Sequence, residues 1–339
     1  MSEMIRLGSN ENLLGPSPLA VEAVRRAALE GHLYPMDHAA MLLEKLAARL
    51  GNGLSPDQIV LGNGSGDVLR MIIQTHVFPE DEVIIPLPTF IAYERQTELH
   101  RGTVVNVPLR DYQIDLPGIL AAITPQTKLI FLCNPNNPTG LILTHDELAQ
   151  FLRQLPDHVI AVIDEAYIDF VDDPAFPRVM ELINAGYNVV ATRTFSKVYG
   201  LASLRVGYGF GSLKLIEPVR NRWHPMGMGR MAYAGAAAAL SDEAHIVNTI
   251  ELVKNGRKYL YQELDNLGLS YLPSQGFYVL LRDLPLDAQF IVDEAHKQGV
   301  ILRHTDVFNM PGYVRISIGR PEDNVQAIEA LRNILDKAS

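Results

Sequence analysis

The sequence predicts an α/β protein, with a mostly parallel central sheet flanked by helices and a smaller α+β domain at the C-terminal end. Three observations carry that expectation. Helical spacings alternate with short apolar runs through most of the chain. Those runs are mostly apolar throughout rather than alternating, as strands buried on both faces of a parallel sheet are. The last third changes character: a long helical stretch precedes two separate strand-like runs. A chain of 339 residues has room for two domains.

The elements follow in order. Residues 1–15, which carry Gly8, Asn10, Asn12 and Gly15, read as an arm. A helix near 18–30 is expected to join the small domain. Leu42, Leu43, Leu46 and Leu50 repeat at helical spacing, as do Val68, Leu69, Ile72 and Ile73. Branched residues concentrate at 58–61, 82–85, 103–107, 128–133, 159–163, 188–192 and 204–210, which predicts the strands of the central sheet. The alanine-rich stretch 232–240 reads as a packed helix. A long helix is expected over 242–267, then strands at 277–281 and 313–318 with a helix at 288–298 between them. The final helix opens at Pro321, a residue suited to the first turn, and repeats Val325, Ile328, Leu331 and Leu335. The expected division is 1–30 as arm and helix, 31–233 as large domain and 234–339 as small domain. There is no fixed-period repeat and no low-complexity segment.

Apolar residues make up 47% and charged residues 20%, an ordinary globular balance. The formal net charge of −10 argues against nucleic acid or an anionic membrane surface as partner. Cys133, the one cysteine, has no partner for an internal disulfide and fits a reducing cytosol. The first 15 residues lack an apolar signal core, so no secretion signal is expected. No apolar run reaches the roughly 18 residues of a membrane span. The ten histidines form no His-Glu-x-x-His pair and there is no Cys-x-x-Cys, so no metal site is expected.

Four motifs stand where a strand ends or a helix starts, the place where open α/β sheets bind ligands. Gly62-Asn63-Gly64-Ser65-Gly66-Asp67 fits a plain turn capped by Ser65, or a cradle in which free helix N–H groups favour an anion. Its spacing matches neither the dinucleotide fingerprint nor the Walker loop. Asn134-Pro135-Asn136-Asn137-Pro138-Thr139-Gly140 is a rigid loop, either an Asn-rich turn or a mount for the Asn137 amide. Asp164-Glu165-Ala166-Tyr167 puts a carboxylate at the end of a buried strand, which requires a cationic partner, a helix cap or a salt bridge. Thr194-Phe195-Ser196-Lys197, with Arg205 eight residues on, offers an amine among hydroxyls. Lys197 fits a solvated surface lysine or, if burial or a nearby cation depresses its pKa, an amine that forms an imine with an aldehyde. Ser196 and Arg205 fit a phosphate.

Taken together these are the parts that pyridoxal phosphate needs. Their order and spacing resemble the fold-type I pyridoxal-phosphate aminotransferases, and among these the chain is most similar to the histidinol-phosphate aminotransferases. The resemblance runs from Ser9-Asn10-Glu11-Asn12 and Gly15-Pro16-Ser17-Pro18 to Val314-Arg315-Ile316-Ser317-Ile318-Gly319. It implies that Lys197 holds the cofactor as an imine and moves the proton, that Asp164 keeps the pyridine nitrogen protonated, and that Tyr167 and Asn137 bond the ring oxygen. It places Ser65, Gly66, Asp67, Thr194, Ser196 and Arg205 around the phosphate, and Phe90 against the ring. It implies that Tyr34 reaches the neighbouring subunit's cofactor in a homodimer with shared sites. Arg315 and Arg303, with Asn12, are expected on the substrate side.

The implied activity is transamination between histidinol phosphate and 2-oxoglutarate in histidine synthesis, in ping-pong order, in the cytoplasm. The sequence departs from the family at Leu33, at Gly66-Asp67 and most visibly at Trp223-His224-Pro225-Met226-Gly227-Met228-Gly229-Arg230, where Met226 offers no hydroxyl to a phosphate. Those departures concern the substrate rather than the cofactor. The alternatives are a transaminase for aromatic or other amino acids on the same scaffold, a decarboxylase of a phosphorylated amino acid, or a non-catalytic cofactor-binding regulator. The last normally carries an added DNA-binding domain, for which 15 residues ahead of the first motifs leave no room.

Overall fold

The computed structural model describes residues 4–35 and 37–338, the side chain of 338 excepted. Residues 1–3 and 339, counted into the expected first and last segments, lie outside the described residues. Strand β1 (Ile5–Arg6) lies in the arm. Then come β2 (Ile59–Asn63), β3 (Glu82–Leu87), β4 (Thr103–Pro108), β5 (Thr127–Cys133), β6 (Ile160–Asp164), β7 (Val189–Thr194) and β8 (Val206–Gly211). The last third holds β9 (Ser270–Leu272), β10 (Tyr278–Arg282), β11 (Val300–Ile301), β12 (Arg303–His304) and β13 (Val314–Ser317).

Strands β2 to β8 form one sheet in the order β2-β8-β7-β6-β5-β3-β4. All run parallel except β8, which pairs antiparallel with both neighbours. The sheet is therefore the mostly parallel one that the apolar runs predict. Its central strands are buried on both sides: Ile130, Leu132, Ala161 and Ile163 join one core, and Leu129, Phe131, Ile160 and Val162 join the other. After β4 the chain returns to lay β5 on the opposite side of β3. That reversal opens a crevice at the carboxyl ends of β3 and β5, beside β6 and β7.

The observed strands run slightly further toward the C-terminus than the sequence runs. Asp164 pairs with both Cys133 and Thr192, and Thr194 with Gly207, so both polar residues lie inside the ladder. Strand β8 starts at Val206 rather than 204, because a 3₁₀ turn (Ala202–Leu204) and a left-handed Arg205 precede it.

The second sheet is antiparallel, in the order β12-β13-β10-β9, and β1 of the arm pairs in parallel with β11. Helices Glu243–Asn266, Ala288–Lys297 and Pro321–Ala338 pack around this part of the chain. Helix Pro18–Leu29 lies against the alanine-rich helix Arg230–Ala239, whose small side chains permit close approach. The hydroxyl of Ser17 also donates to Asp242 at 2.6 Å, ahead of the long helix. No helix among the described residues is long and apolar enough to cross a membrane.

Candidate active site

The carboxyl ends of β5, β6 and β7, together with the helix after β2, enclose a cavity of about 300 Å³. Ser65, Gly66, Phe90, Asn137, Asp164, Tyr167, Thr194, Ser196, Lys197 and Arg205 line it, all of them singled out by the sequence.

At one end is an anion cradle. Helix Ser65–His76 starts at the cavity, and its first N–H groups have no carbonyl one turn back to receive them. Gly64 precedes it at φ 83°, a backbone that side chains rarely adopt, and a Cβ there would overlap the Arg205 guanidinium. Gly207 on β8 lies against the backbone of Gly64 and Ser65 with no room for a Cβ. Two glycines thus let Arg205 and the helix start converge. The Thr194 hydroxyl donates to Ser196 Oγ at 3.0 Å and accepts from the Ser196 N–H at 3.1 Å, which fixes both hydroxyls at the same end.

In the middle is a carboxylate without an ion pair among the described residues. Asp164 is 2% exposed. Its Oδ2 accepts from the Tyr93 hydroxyl at 2.8 Å and its Oδ1 from the Thr192 hydroxyl at 3.1 Å. Both donors are neutral. Burial raises the Asp164 pKa, and the hydroxyls, the Ala166 N–H and Lys197 oppose that rise. A buried carboxylate held by neutral donors fits a cation in the cavity it lines.

Lys197 stands across the cavity, half-buried. Its ammonium donates to the Asn10 carbonyl at 2.9 Å and lies 5.5 Å from the centre of the Tyr167 ring. Its pKa falls to about 7, through burial first and then the Arg315 charge. Near neutrality a large share of this amine is therefore unprotonated and nucleophilic. The Tyr167 hydroxyl accepts from Asn10 Nδ2 at 2.9 Å, and burial pushes its pKa up to about 12, so it holds its proton at neutral pH.

The second sheet closes the far side. Arg303 and Arg315 stand directly opposite one another on β12 and β13. Arg315, 3% exposed, donates to Gly8 O at 2.8 Å and to Asn137 Oδ1, between the rings of Tyr278 and Phe308. Arg303 donates to the same Gly8 carbonyl at 2.7 Å and to Ser9 Oγ at 3.1 Å. Neither forms an ion pair among the described residues, and the buried Nε of Arg315 has no partner.

Two residues expected at the site, Asp67 and Asn12, turn their side chains elsewhere, and Tyr34, expected at a partner's site, lies on the surface. Asp67 accepts from the Asn63 N–H at 3.0 Å and binds Arg70 at 2.7 Å, bracing the turn from outside. The Asn12 amide is taken up by the carbonyls of Lys197 (3.3 Å) and Val198 (3.1 Å) and the Thr249 hydroxyl (3.2 Å), so it pins the lysine loop from behind. Tyr34 is 76% exposed on the outer surface, where its carbonyl accepts from Arg230.

Sequence reasoning passed over Tyr93, Thr192 and Asn10. Tyr93 lies one helical turn after Phe90, and that spacing is the signal that could have found it. Thr192 pairs with Asp164 only through the β6–β7 register. Asn10 meets Tyr167 across 157 residues, which no local pattern reveals.

The family model for aminotransferase class I and II matches residues 2–331. The chain belongs to that family. As an aminotransferase it moves an amino group from a donor to an oxo-acid acceptor. It is 40% identical to the histidinol-phosphate aminotransferase of Moorella thermoacetica, over 99% of this chain and 86% of that one. It is 37% identical to histidinol-phosphate aminotransferase 2 of Carboxydothermus hydrogenoformans, over 98% and 91%. Among solved structures it is similar to the Sinorhizobium meliloti histidinol-phosphate aminotransferase in complex with pyridoxal-5'-phosphate. That match has a TM-score of 0.91 at 30% identity and covers 99% of this chain and 92% of that one. The aminotransferase fold is thus the fold-type I arrangement that the motifs resemble.

Proposed function

We propose that this aminotransferase uses pyridoxal phosphate to exchange an amino group between histidinol phosphate and 2-oxoglutarate, in the cytoplasm, as a step of histidine synthesis. The observation that carries the substrate reading is the arginine pair. Like charges placed directly opposite on a sheet destabilise it, and these two guanidiniums stand opposite one another with no carboxylate partner among the described residues. The arrangement suits a dianion such as a phosphate monoester or a dicarboxylate.

The donor set fits the cofactor. The Ser65 and Gly66 N–H groups, the Thr194 and Ser196 hydroxyls and Arg205 would hold its phosphate. Asp164 would hold the ring-nitrogen proton, Tyr167 and Asn137 would bond the ring oxygen, and Phe90 would lie against the ring. When bound, the group supplies an aldehyde for the amine and a ring that takes up an electron pair. Lys197, with its depressed pKa, would take the proton from the substrate carbon and deliver it to the cofactor's aldehyde carbon. Arg315 and Arg303 orient the anionic end. The Tyr278 and Phe308 rings exclude water from one side of the Arg315 guanidinium. Tyr34, exposed and with its carbonyl bonded to Arg230 at the end of the loop that holds Met226, suits completion of a partner's site in a homodimer. We assign residues 1–30 as arm and helix, 31–233 as the large domain and 234–339 as the small domain.

Turnover of histidinol phosphate and of phenylalanine, each with 2-oxoglutarate, tests the reading. Histidinol phosphate is expected to react far faster. Reaction with phenylalanine alone would replace it with the aromatic transaminase. Carbon dioxide release without an acceptor would replace it with the decarboxylase.

A further inference from the structure

Asn10 has no part in the roles above, yet it makes four hydrogen bonds in three directions while 1% exposed. Its N–H donates to Ser317 Oγ at 2.9 Å, and its Oδ1 accepts from that same hydroxyl at 2.6 Å. Its Nδ2 donates to the Tyr167 oxygen at 2.9 Å, and its carbonyl accepts from Lys197 at 2.9 Å. The residue sits at φ 53°, in the left-handed region that Asn enters more readily than most side chains. That turn is what aims the carbonyl and the side-chain amide at two different groups of the site. Two residues earlier, the Gly8 carbonyl receives both Arg303 and Arg315. Ser317 lies two residues beyond Arg315 on β13.

We propose that Asn10 is a positioning residue that directs the Tyr167 hydroxyl proton into the cavity, holds the Lys197 amine, and ties both to the strand that carries Arg315. The proton argument is geometric. An amide N–H cannot accept, so the Tyr167 oxygen must accept from Asn10, and its own O–H is left to point elsewhere. The cavity that Tyr167 lines with Asn137, Asp164 and Lys197 is the open direction. A group with an ionisable oxygen bound there receives that proton as a donated hydrogen bond, which favours its deprotonated form. The charged and titratable groups around Lys197 and Tyr167 are Glu11 on the arm, Cys133 on β5, Asp164 on β6, Arg205 before β8, Tyr278 on β10, whose hydroxyl donates to the Asn136 carbonyl, and Arg315 on β13. None of them substitutes for the Asn10 amide as a fixed neutral donor to Tyr167.

The proposal rests on the cofactor reading, and the test separates the two. The full chain is loaded with pyridoxal phosphate, and the pH midpoint of its visible absorbance is measured alongside kcat and KM. Asn10→Gly keeps the left-handed backbone and removes both side-chain bonds. Its midpoint is expected to rise by about half to one pH unit, a roughly three- to tenfold change in proton affinity, with a fall in kcat larger than any change in KM. Asn10→Asp keeps the size and the Ser317 bond but turns the donor into an acceptor, and should move the midpoint further the same way. In a Tyr167→Phe background the Asn10→Gly shift should largely vanish. An unchanged midpoint in Asn10→Gly, or the same shift with Tyr167→Phe already present, overturns the proposal. Should Asn10→Gly fail to fold, Asn10→Asp gives the same decision. A parent protein with no visible absorbance would instead overturn the cofactor reading.

Discussion

Asp164 and Glu165 are neighbours in sequence, both almost fully buried, at 2% and 1% exposed. Asp164 ends β6 and Glu165 follows it, its N–H still bonded to the Thr192 carbonyl, so the two side chains face opposite sides as they do along a strand. On the Asp164 side lie Cys133, Thr192 and Tyr93, and among the described residues the carboxylate is held by neutral donors, the Tyr93 and Thr192 hydroxyls and the Ala166 N–H. On the other side Glu165 meets Arg193 at 2.9 Å, and Arg193 also lies over the Phe210 ring. One carboxylate is already paired within the fold, while the other faces a cavity and fits a cation from outside it. The charge and the strand end are the same. What distinguishes a binding group from a structural one here is the chemistry of the partner supplied.

If that distinction holds, substitutions on the two sides should fail in different ways. The largest effect should come from Lys197→Ala, with turnover falling roughly 10⁴-fold or more as both nucleophile and proton carrier are lost. Steady-state kinetics with unaltered yield of folded protein would show it. Normal turnover would remove Lys197 from the reaction. Asp164→Asn should lower kcat by about 10²- to 10³-fold, the scale of losing one buried electrostatic contact to the reacting group. Without cofactor its melting temperature should equal or exceed the parent's at neutral pH, since the substitution relieves a buried charge. Across the sheet, Arg193→Met should reverse that pattern. It strands the Glu165 carboxylate, at a cost of about 3–5 kcal/mol in urea unfolding, while surviving folded enzyme keeps near-parental kcat. A kcat collapse in Arg193→Met, or a stability collapse in Asp164→Asn, would erase the contrast between the faces.

The large-sheet half of the site was legible because its motifs are contiguous. A strand, a tight turn and the next helix place Ser65, Asn137, Asp164 and Lys197 within a few residues of the punctuation that marks them. The arm half was not. Asn10 acts through Ser317 and Tyr167, and Asn12 through the Lys197 and Val198 carbonyls, so their roles exist only after the arm has folded onto both sheets. Thr192 illustrates the intermediate case: its strand was foreseeable, but its bond to Asp164 depends on register. Asp67 shows the opposite case, a residue inside the motif whose side chain turns outward to Arg70.

The Lys197 amine gives a smaller effect with a definite pH dependence. Its pKa falls from 10.5 to about 7 on folding, so the folded chain binds fewer protons than the unfolded chain between those values. The burden on stability is therefore full below pH 7 and shrinks as pH rises toward 10.5. Lys197→Met should raise the melting temperature of the cofactor-free protein most at or below pH 7, with the difference narrowing steadily above it. A difference that widens with pH would contradict the burial of this charge.

The smallest effect should come from Tyr93→Phe, which removes one hydroxyl while leaving the ring stacked on Phe131 at 4.7 Å. A hydrogen bond to a charged group contributes about 1.5–3 kcal/mol, and Thr192 still donates to the other Asp164 oxygen. The loss should appear as roughly a tenfold weaker cofactor affinity or lower kcat. It should largely fall away when Asp164 is already Asn, because the hydroxyl donates to that carboxylate. Full additivity in the double variant would mean that Tyr93 serves the core rather than the charge, and the two faces of the sheet would then be alike in how they hold their carboxylates.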